Sequence, residues 1–399
     1  MNLIQSPLLW KSGNSRGAFL FVLFAVAGAA RSSPAEGQIL AAFQFSPRSE
    51  ALALPVQVGE ERGNSLFVLD TGASVNFLDS SLQHLVNSKP FRRVRIEGTQ
   101  RFLELYKFPG VSVGDLRASK DGQIVCTDLA DLRAAAGMQL YGIVGLGFFR
   151  DRVVSVDFDN GLLQVWSRSC AREGLGVAVR LTDDSTKAII EKVRFGDNMS
   201  YRCILDTGSN GSIVVPRGTF DHLVRSKQVS VLGSRVVTSV DRKSRQRFGV
   251  LKRLEIASGV IHNLTIGEST RDSIPRIGLG VLRRYVVTLD VDGKVAYFRK
   301  GKHFASTDRL DKSGITLDRV LGEFRATSIT KNSPALVADI RVGDRIEMVN
   351  GIDQSRLSMY TLRELLSSGH GRVITVKVRS DNQDSRTVAL KLRNRPYDE

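Results

Sequence analysis

Between residues 40 and 300 the apolar positions fall in short runs of about four to eight residues, alternating or continuous, bounded by Gly, Asp and Asn. That texture predicts β-strands at Leu66–Leu69, Val153–Phe158, Leu162–Trp166, Ile213–Val215 and Val286–Leu289. Asp159-Asn160-Gly161 and Asp292-Gly293 lie between such runs and predict hairpin turns. Short helices are predicted at Ser80–Val86 and Thr219–Arg225, and no long amphipathic helix is predicted in this stretch. After residue 305 the pattern mixes. Strands are predicted at Phe324–Ile329, Val373–Arg379 and Thr387–Leu392, a short helix opening at Asn332-Ser333-Pro334-Ala335, and a second helix over Tyr360–Ser367.

The chain repeats itself. Phe67-Val68-Leu69-Asp70-Thr71-Gly72-Ala73-Ser74 matches Cys203-Ile204-Leu205-Asp206-Thr207-Gly208-Ser209-Asn210. Downstream, the segment from Gly145-Leu146-Gly147 to Asp157 matches the one from Gly278-Leu279-Gly280 to Asp290. Two motifs recurring in the same order at nearly the same spacing point to duplication of a unit of roughly 130 residues.

The N-terminus reads as an address. Lys11 and Arg16 precede an apolar run from Ala18 to Ala30, which ends in the small residues Ala27-Gly28-Ala29. A basic start, a short apolar stretch and an A-x-A end predict a signal peptide over residues 1–30, and so export to a periplasmic or extracellular space. An uncleaved leader acting as a membrane anchor is the lesser alternative.

Composition adds limits. The 399 residues are 42% hydrophobic and 25% charged, an ordinary globular balance that suits two or three domains. Lys and Arg total 57 against 41 Asp and Glu, a formal charge of +16, but the basic residues are scattered. No nucleic-acid-binding motif accompanies them, so nucleic acid is not an expected partner. Three cysteines, Cys126, Cys170 and Cys203, permit at most one internal disulfide, of open pairing. No metal-ligand spacing or cofactor fingerprint is present, so neither a metal nor a cofactor is expected.

The chemistry concentrates in Asp70-Thr71-Gly72 and Asp206-Thr207-Gly208. Each Asp ends an apolar strand and enters a tight loop, where Gly72 and Gly208 allow close backbone approach. Thr71 and Thr207 offer hydroxyls to cross-link the loops. Two carboxyls brought together share one proton, because both cannot ionise easily. One can then activate a water while the other hydrogen-bonds a peptide carbonyl. Ser209 stands where the first copy has Ala73, so its hydroxyl is expected to favour the charge on Asp206.

Two such loops, each followed by an apolar-Gly element, resemble the aspartic protease superfamily. Ile143-Val144-Gly145-Leu146-Gly147 is similar to the element that threads beside the catalytic loop in that fold, and Ile277-Gly278 is its second copy, with Arg276 in place of an apolar residue. Asp-Thr-Gly-Ala resembles the retroviral form of the loop and Asp-Thr-Gly-Ser the pepsin form. The resemblance implies a mainly β, bilobal acid-protease-like fold with pseudo-twofold symmetry, lobe 1 at 38–168 and lobe 2 at 175–300. It implies Asp70 and Asp206 as the catalytic pair, with Thr71, Gly72, Thr207, Gly208 and Ser209 in support. It also implies a β-hairpin flap over the substrate. Val94 to Phe102 suits this in lobe 1, with Glu97, Gly98 and Thr99 at its turn, and Val236 to Phe248 in lobe 2.

Residues 310–395 resemble a PDZ domain in its circularly permuted form, through Ser333-Pro334-Ala335, Gly343-Asp344-Arg345-Ile346 and Val349-Asn350-Gly351. The resemblance implies an α+β module that binds an extended peptide by strand addition. Leu321, Gly322, Glu323 and Phe324 are its expected carboxylate loop, and Asp339 stands where the family usually has Gly.

The expectation is therefore an exported, monomeric aspartic endopeptidase acting on protein or peptide substrates, with a PDZ domain that takes substrate or partner peptides. Two readings compete with it: a catalytically silent peptide-binding adaptor, and a surface protein held by its charge to an anionic envelope.

Overall fold

The computed structural model describes residues 38–395, apart from 60–64, 87, 96–101, 108–109, 118–122, 185, 198, 241–242, 271 and 382–383. The expected leader at 1–30 and the expected flap turn Glu97-Gly98-Thr99 lie outside the described residues. Among those described, no helix is long and apolar enough to cross a membrane.

The chain is mainly β, and its first two units are built alike. In the first, Ser65–Asp70 pairs antiparallel with Ala53–Val58 and parallel with Leu140–Gly145, which places Gly145 opposite Asp70. Leu140–Gly145 also pairs antiparallel with Asn76–Asp79, so it threads between the two arms of the Asp70 loop. The second unit repeats this arrangement. Met199–Leu205 runs parallel to Arg276–Ile277, and Arg276–Ile277 runs antiparallel to Ile213–Pro216. The central strands are buried on both faces, which is why they read as continuous apolar runs rather than alternating ones.

The units join through one six-stranded sheet. At its centre Arg152–Asp157 pairs antiparallel with Tyr285–Asp290, and Ser155 lies opposite Thr288. These residues are equivalent positions of the repeated sequence. Their hydroxyls hydrogen-bond at 2.9 Å, which marks a pseudo-twofold axis between the units. Leu162–Ser167 and Ile39–Gln44 extend the sheet on one side, Val295–Lys300 and Val177–Arg180 on the other. One continuous apolar core draws on both units, from Phe67, Leu69 and Val154 to Leu205, Val287 and Leu289. Each such side chain contributes about 1.5–3 kcal/mol by leaving water.

The C-terminal module has its own core around Phe324, Ile346, Leu362, Val376 and Leu390. Its strands lie in the order Ile315–Val320, Glu323–Ile329, Arg345–Val349, Val373–Arg379, Arg386–Lys391. Two short helices, Pro334–Val337 and Met359–Leu366, are capped by the hydroxyls of Ser333 and Ser358. Asp339 adopts the left-handed conformation (φ 55°) that glycine takes most readily. The approach to this module is pinned rather than loose. Asp308 pairs with Arg284 at 2.6 Å and accepts the Thr265 N–H at 2.7 Å.

Two elements go beyond the sequence expectations. The strand Ile315–Val320 was not anticipated, and it moves the expected carboxylate loop. Leu321 (φ 50°) and Gly322 (φ 84°) form the two-residue turn of the hairpin joining Ile315–Val320 to Glu323–Ile329. Leu321 is 96% exposed at the tip, while Phe324 is fully buried in the module core. Glu323 pairs with Arg345. Leu321 and Gly322 therefore form a hairpin tip, and Glu323 and Phe324 open a strand of the module. The helix Ala130–Ala136 was also not anticipated, because its alanine-rich sequence shows no clear apolar face.

Candidate active site

Asp70 and Asp206 end equivalent strands and meet across the pseudo-twofold axis. Their carboxyl groups are within hydrogen-bonding reach of each other. The loops carrying them are tied reciprocally. The Thr71 N–H donates to Thr207 Oγ1 at 3.1 Å and the Thr207 N–H to Thr71 Oγ1 at 3.1 Å. Each hydroxyl donates onward across the axis, Thr71 to the Leu205 carbonyl at 2.5 Å and Thr207 to the Leu69 carbonyl at 2.6 Å. Both Thr side chains are buried, so these four bonds satisfy the N–H and O–H donors of both threonines where water cannot help.

The glycines are required by space. A methyl group on Gly208 would stand 2.4 Å from Asp70 Cγ, and one on Gly72 would stand 2.9 Å from Asp206 Cγ. The same holds one strand away. A methyl on Gly145 would meet the Ala73 carbonyl oxygen at 2.7 Å, and one on Gly278 the Gly211 carbonyl oxygen at 2.3 Å. Only glycine lets the threading strand pass so close to the loop.

The two carboxyls differ in support. Asp70 Oδ1 accepts the Gly72 N–H at 2.8 Å. Asp206 Oδ1 accepts two backbone N–H groups, from Gly208 and Ser209, each at 3.0 Å. Asp206 Oδ2 is in addition paired with Arg276 Nη1 at 2.9 Å, and Arg276 Nε donates to Asp272 Oδ1 at 2.8 Å. The expected asymmetry is present, but it arises from the Ser209 backbone and from Arg276, not from the Ser209 hydroxyl. Burial, and then the negative charge of Asp206, push the Asp70 pKa up to about 8, against the opposing influence of Arg276 and the Gly72 N–H. The flanking acids raise the Arg276 pKa further above its ordinary value, against the effect of burial, so it stays charged. In this arrangement Asp70 is the carboxyl of the pair that burial and the neighbouring charge drive to hold a proton.

A cavity of about 760 Å³ opens on the second-unit side of the pair. Arg276, Asp272, Asp184, Lys187 and Arg202 line it, so Arg276 has one face on the carboxyl pair and one on this space. Sequence reading marked Arg276 only as a departure from an apolar pattern. Its contact with Asp206 was invisible, because the two are adjacent only through strand pairing.

The strands of the expected first hairpin are present, Arg92–Arg95 pairing with Phe102–Lys107. The expected second hairpin is longer than predicted, Val229–Thr238 against Lys243–Ile256. Near its tip Val240 packs onto the first unit, against the cluster of Ala53, Val68, Leu140 and Ile143 that also contacts Ala73 beside the Asp70 loop. All three cysteines are free.

A family model of the PDZ domain matches residues 325–380. Among curated proteins, none matches the chain. The C-terminal module thus carries a PDZ domain, a family that binds peptides or partner proteins.

Proposed function

We propose that the chain is an aspartic endopeptidase in which Asp70 and Asp206 hydrolyse peptide bonds and the PDZ domain takes substrate or partner peptides. The observation that carries the reading is the pair of carboxyls facing each other in a reciprocal hydrogen-bonded frame, and burial beside the charge of Asp206 raises the Asp70 pKa, as a shared proton requires. Water held between the carboxyls gives a proton to the Asp206 carboxylate as its oxygen attacks the peptide carbonyl carbon. Asp70 gives its proton to the carbonyl oxygen, which forms a neutral gem-diol. Collapse of the diol breaks the C–N bond. Asp206 passes its proton to the leaving nitrogen, and a diol hydroxyl returns one to Asp70, restoring the starting state.

The cavity lined by Arg276 and Asp272 is of the size that small binding sites occupy, and Arg276 is its link to the carboxyl pair. Both carboxyls belong to one chain, so the proposed enzyme is complete as a monomer. The leader-like N-terminus supports action outside the cytoplasm.

A second reading, a silent peptide-binding adaptor, draws on Arg276. Its guanidinium occupies Asp206 Oδ2, an oxygen that an attacking water needs as base. The two readings part on one experiment, cleavage of an unbiased peptide library by the protein and by Asp70→Asn. Cuts that disappear in the variant support the endopeptidase. Retained peptides with no cuts support the adaptor.

A further inference from the structure

The PDZ domain does not stand apart from the rest of the chain. Its first strand, Ile315–Val320, is a sheet edge, and such an edge exposes backbone groups that an added strand can pair with. In this chain the helix Ala130–Ala136 of the first unit packs on that strand. Gly137, which ends the helix in a left-handed conformation, is wedged between the strand and the helix Met359–Leu366. Its Cα substituent position lies 2.9 Å from Met359 Cβ and 3.7 Å from Arg319 Cβ. Arg363 fixes the seating by donating to the Ala135 carbonyl at 3.1 Å and by pairing with Glu50. Glu50 in turn accepts from Asn210, four residues past Asp206, at 2.9 Å. The first-unit helix is itself held firmly, because Asp79 accepts the Leu129 N–H at 2.9 Å and pairs with Arg133.

One side chain ties this contact to the second-unit hairpin. Lys243 begins the return strand of the second-unit hairpin. It pairs with Asp318 of the PDZ edge strand at 2.8 Å and with Asp131 of the first-unit helix at 3.3 Å. Asp318 is 4% exposed, so its charge depends on Lys243 for compensation. A few residues away Val240 seats the hairpin on the wall beside Asp70.

We propose that Lys243 is a latch: the PDZ edge is closed in cis by the helix Ala130–Ala136, and a peptide that displaces this helix from Ile315–Val320 also releases the second-unit hairpin from the first-unit wall beside Asp70. The PDZ domain then acts as a regulator of access to the carboxyl pair and not only as a tether. The coupling follows from shared partners. Moving the helix takes Asp131 from Lys243, and moving the strand takes Asp318. The proposal rests on the endopeptidase reading only for its catalytic consequence.

The test uses the full chain with Lys243→Gln and with Asp318→Asn, which break the same pair from opposite ends. Backbone hydrogen exchange is followed at 229–256, at 130–136 and at the central strands 152–157 and 285–290. It is measured in the Asp70→Asn background so that no self-cleavage intrudes. Library cleavage is followed separately with Asp70 intact. The latch requires exchange in the hairpin to rise by about tenfold in both variants while the central strands stay unchanged. Where the unaltered protein cuts peptides, cleavage by both variants should also rise several-fold. If Asp318→Asn fails to fold, Lys243→Gln carries the same measurement alone. Unchanged hairpin exchange overturns the latch even if peptides are cut. A loosened hairpin with no cutting by any variant keeps the latch and removes the endopeptidase.

Discussion

The hydroxyl of Thr71 accepts the backbone N–H of Thr207, and the hydroxyl of Thr207 accepts that of Thr71, both at 3.1 Å. Each residue thereby holds the loop of the other, and neither loop has its geometry without its partner. Thr71→Val or Thr207→Val removes a buried acceptor while leaving the opposite N–H unpaired. Each is expected to cost about 1–3 kcal/mol in chemical denaturation. The double variant should cost less than the sum of the singles, since the first change already breaks the shared frame. Serine at either position should retain most of the stability. Fully additive losses would mean that the two loops are held independently.

The raised Asp70 pKa has a definite sign in stability. Its folded value, about 8, exceeds the ordinary 3.8, so the folded state binds the extra proton between those limits. The contribution is fully present below pH 3.8 and is lost as pH rises toward 8. Asp70→Asn mimics the protonated form. It should become progressively more stable than the unaltered protein from pH 4 to 8, by at most about 1.4 kcal/mol per pH unit, and level off above. Urea midpoints across that range measure it. A difference that does not change with pH would place the proton elsewhere.

Catalysis should follow the same proton. Cutting is expected to persist to about pH 8 and fall above it as Asp70 ionises. Arg276 opposes the raised value, so Arg276→Gln should move this alkaline limb upward. A pH–rate profile of kcat/KM for both proteins decides it, and a limb that stays in place would remove Arg276 from the electrostatics of the pair.

Gly208 tests the packing of the site. A methyl there meets Asp70 Cγ at 2.4 Å, and backbone and carboxyl must separate to admit it. Gly208→Ala should lose cleavage altogether and cost about 1–3 kcal/mol of stability. Gly218, exposed in the first turn of the helix Arg217–Arg225 with nothing near its substituent position, is the control, and alanine there should leave activity intact.

Much of this was legible in the sequence, for identifiable reasons. The two Asp-Thr-Gly loops and their threading strands were found because the duplication repeats both motifs in register. The strand texture was plain because buried strands leave apolar runs. Arg276 was not read as a partner of Asp206, since strand pairing alone brings them together. The helix Ala130–Ala136 escaped because its role is to cover a neighbour rather than to bury a stripe. Leu321-Gly322 was placed in a carboxylate loop by the PDZ resemblance, because the strand Ile315–Val320 that makes it a hairpin turn was not read. There the turn geometry of the hairpin prevails over the residue's own preference.

The PDZ domain provides a matched pair of variants for that correction. Phe324→Ala empties a fully buried site and should cost about 3–5 kcal/mol in unfolding of the C-terminal module. Leu321→Ser alters an exposed turn tip and should change stability by less than about 0.5 kcal/mol. If Leu321→Ser abolishes peptide capture while leaving the fold intact, the turn is a binding element after all.

The most direct measurement is cleavage of an unbiased peptide library from pH 3 to 8 by the full chain beside Asp70→Asn and Asp206→Asn, each first shown to be folded. The expected result is cutting by the unaltered protein that extends to neutral pH and vanishes in both variants. Cutting that survives either substitution, or none from the folded protein at any pH, would contradict a shared-proton pair as the seat of its function.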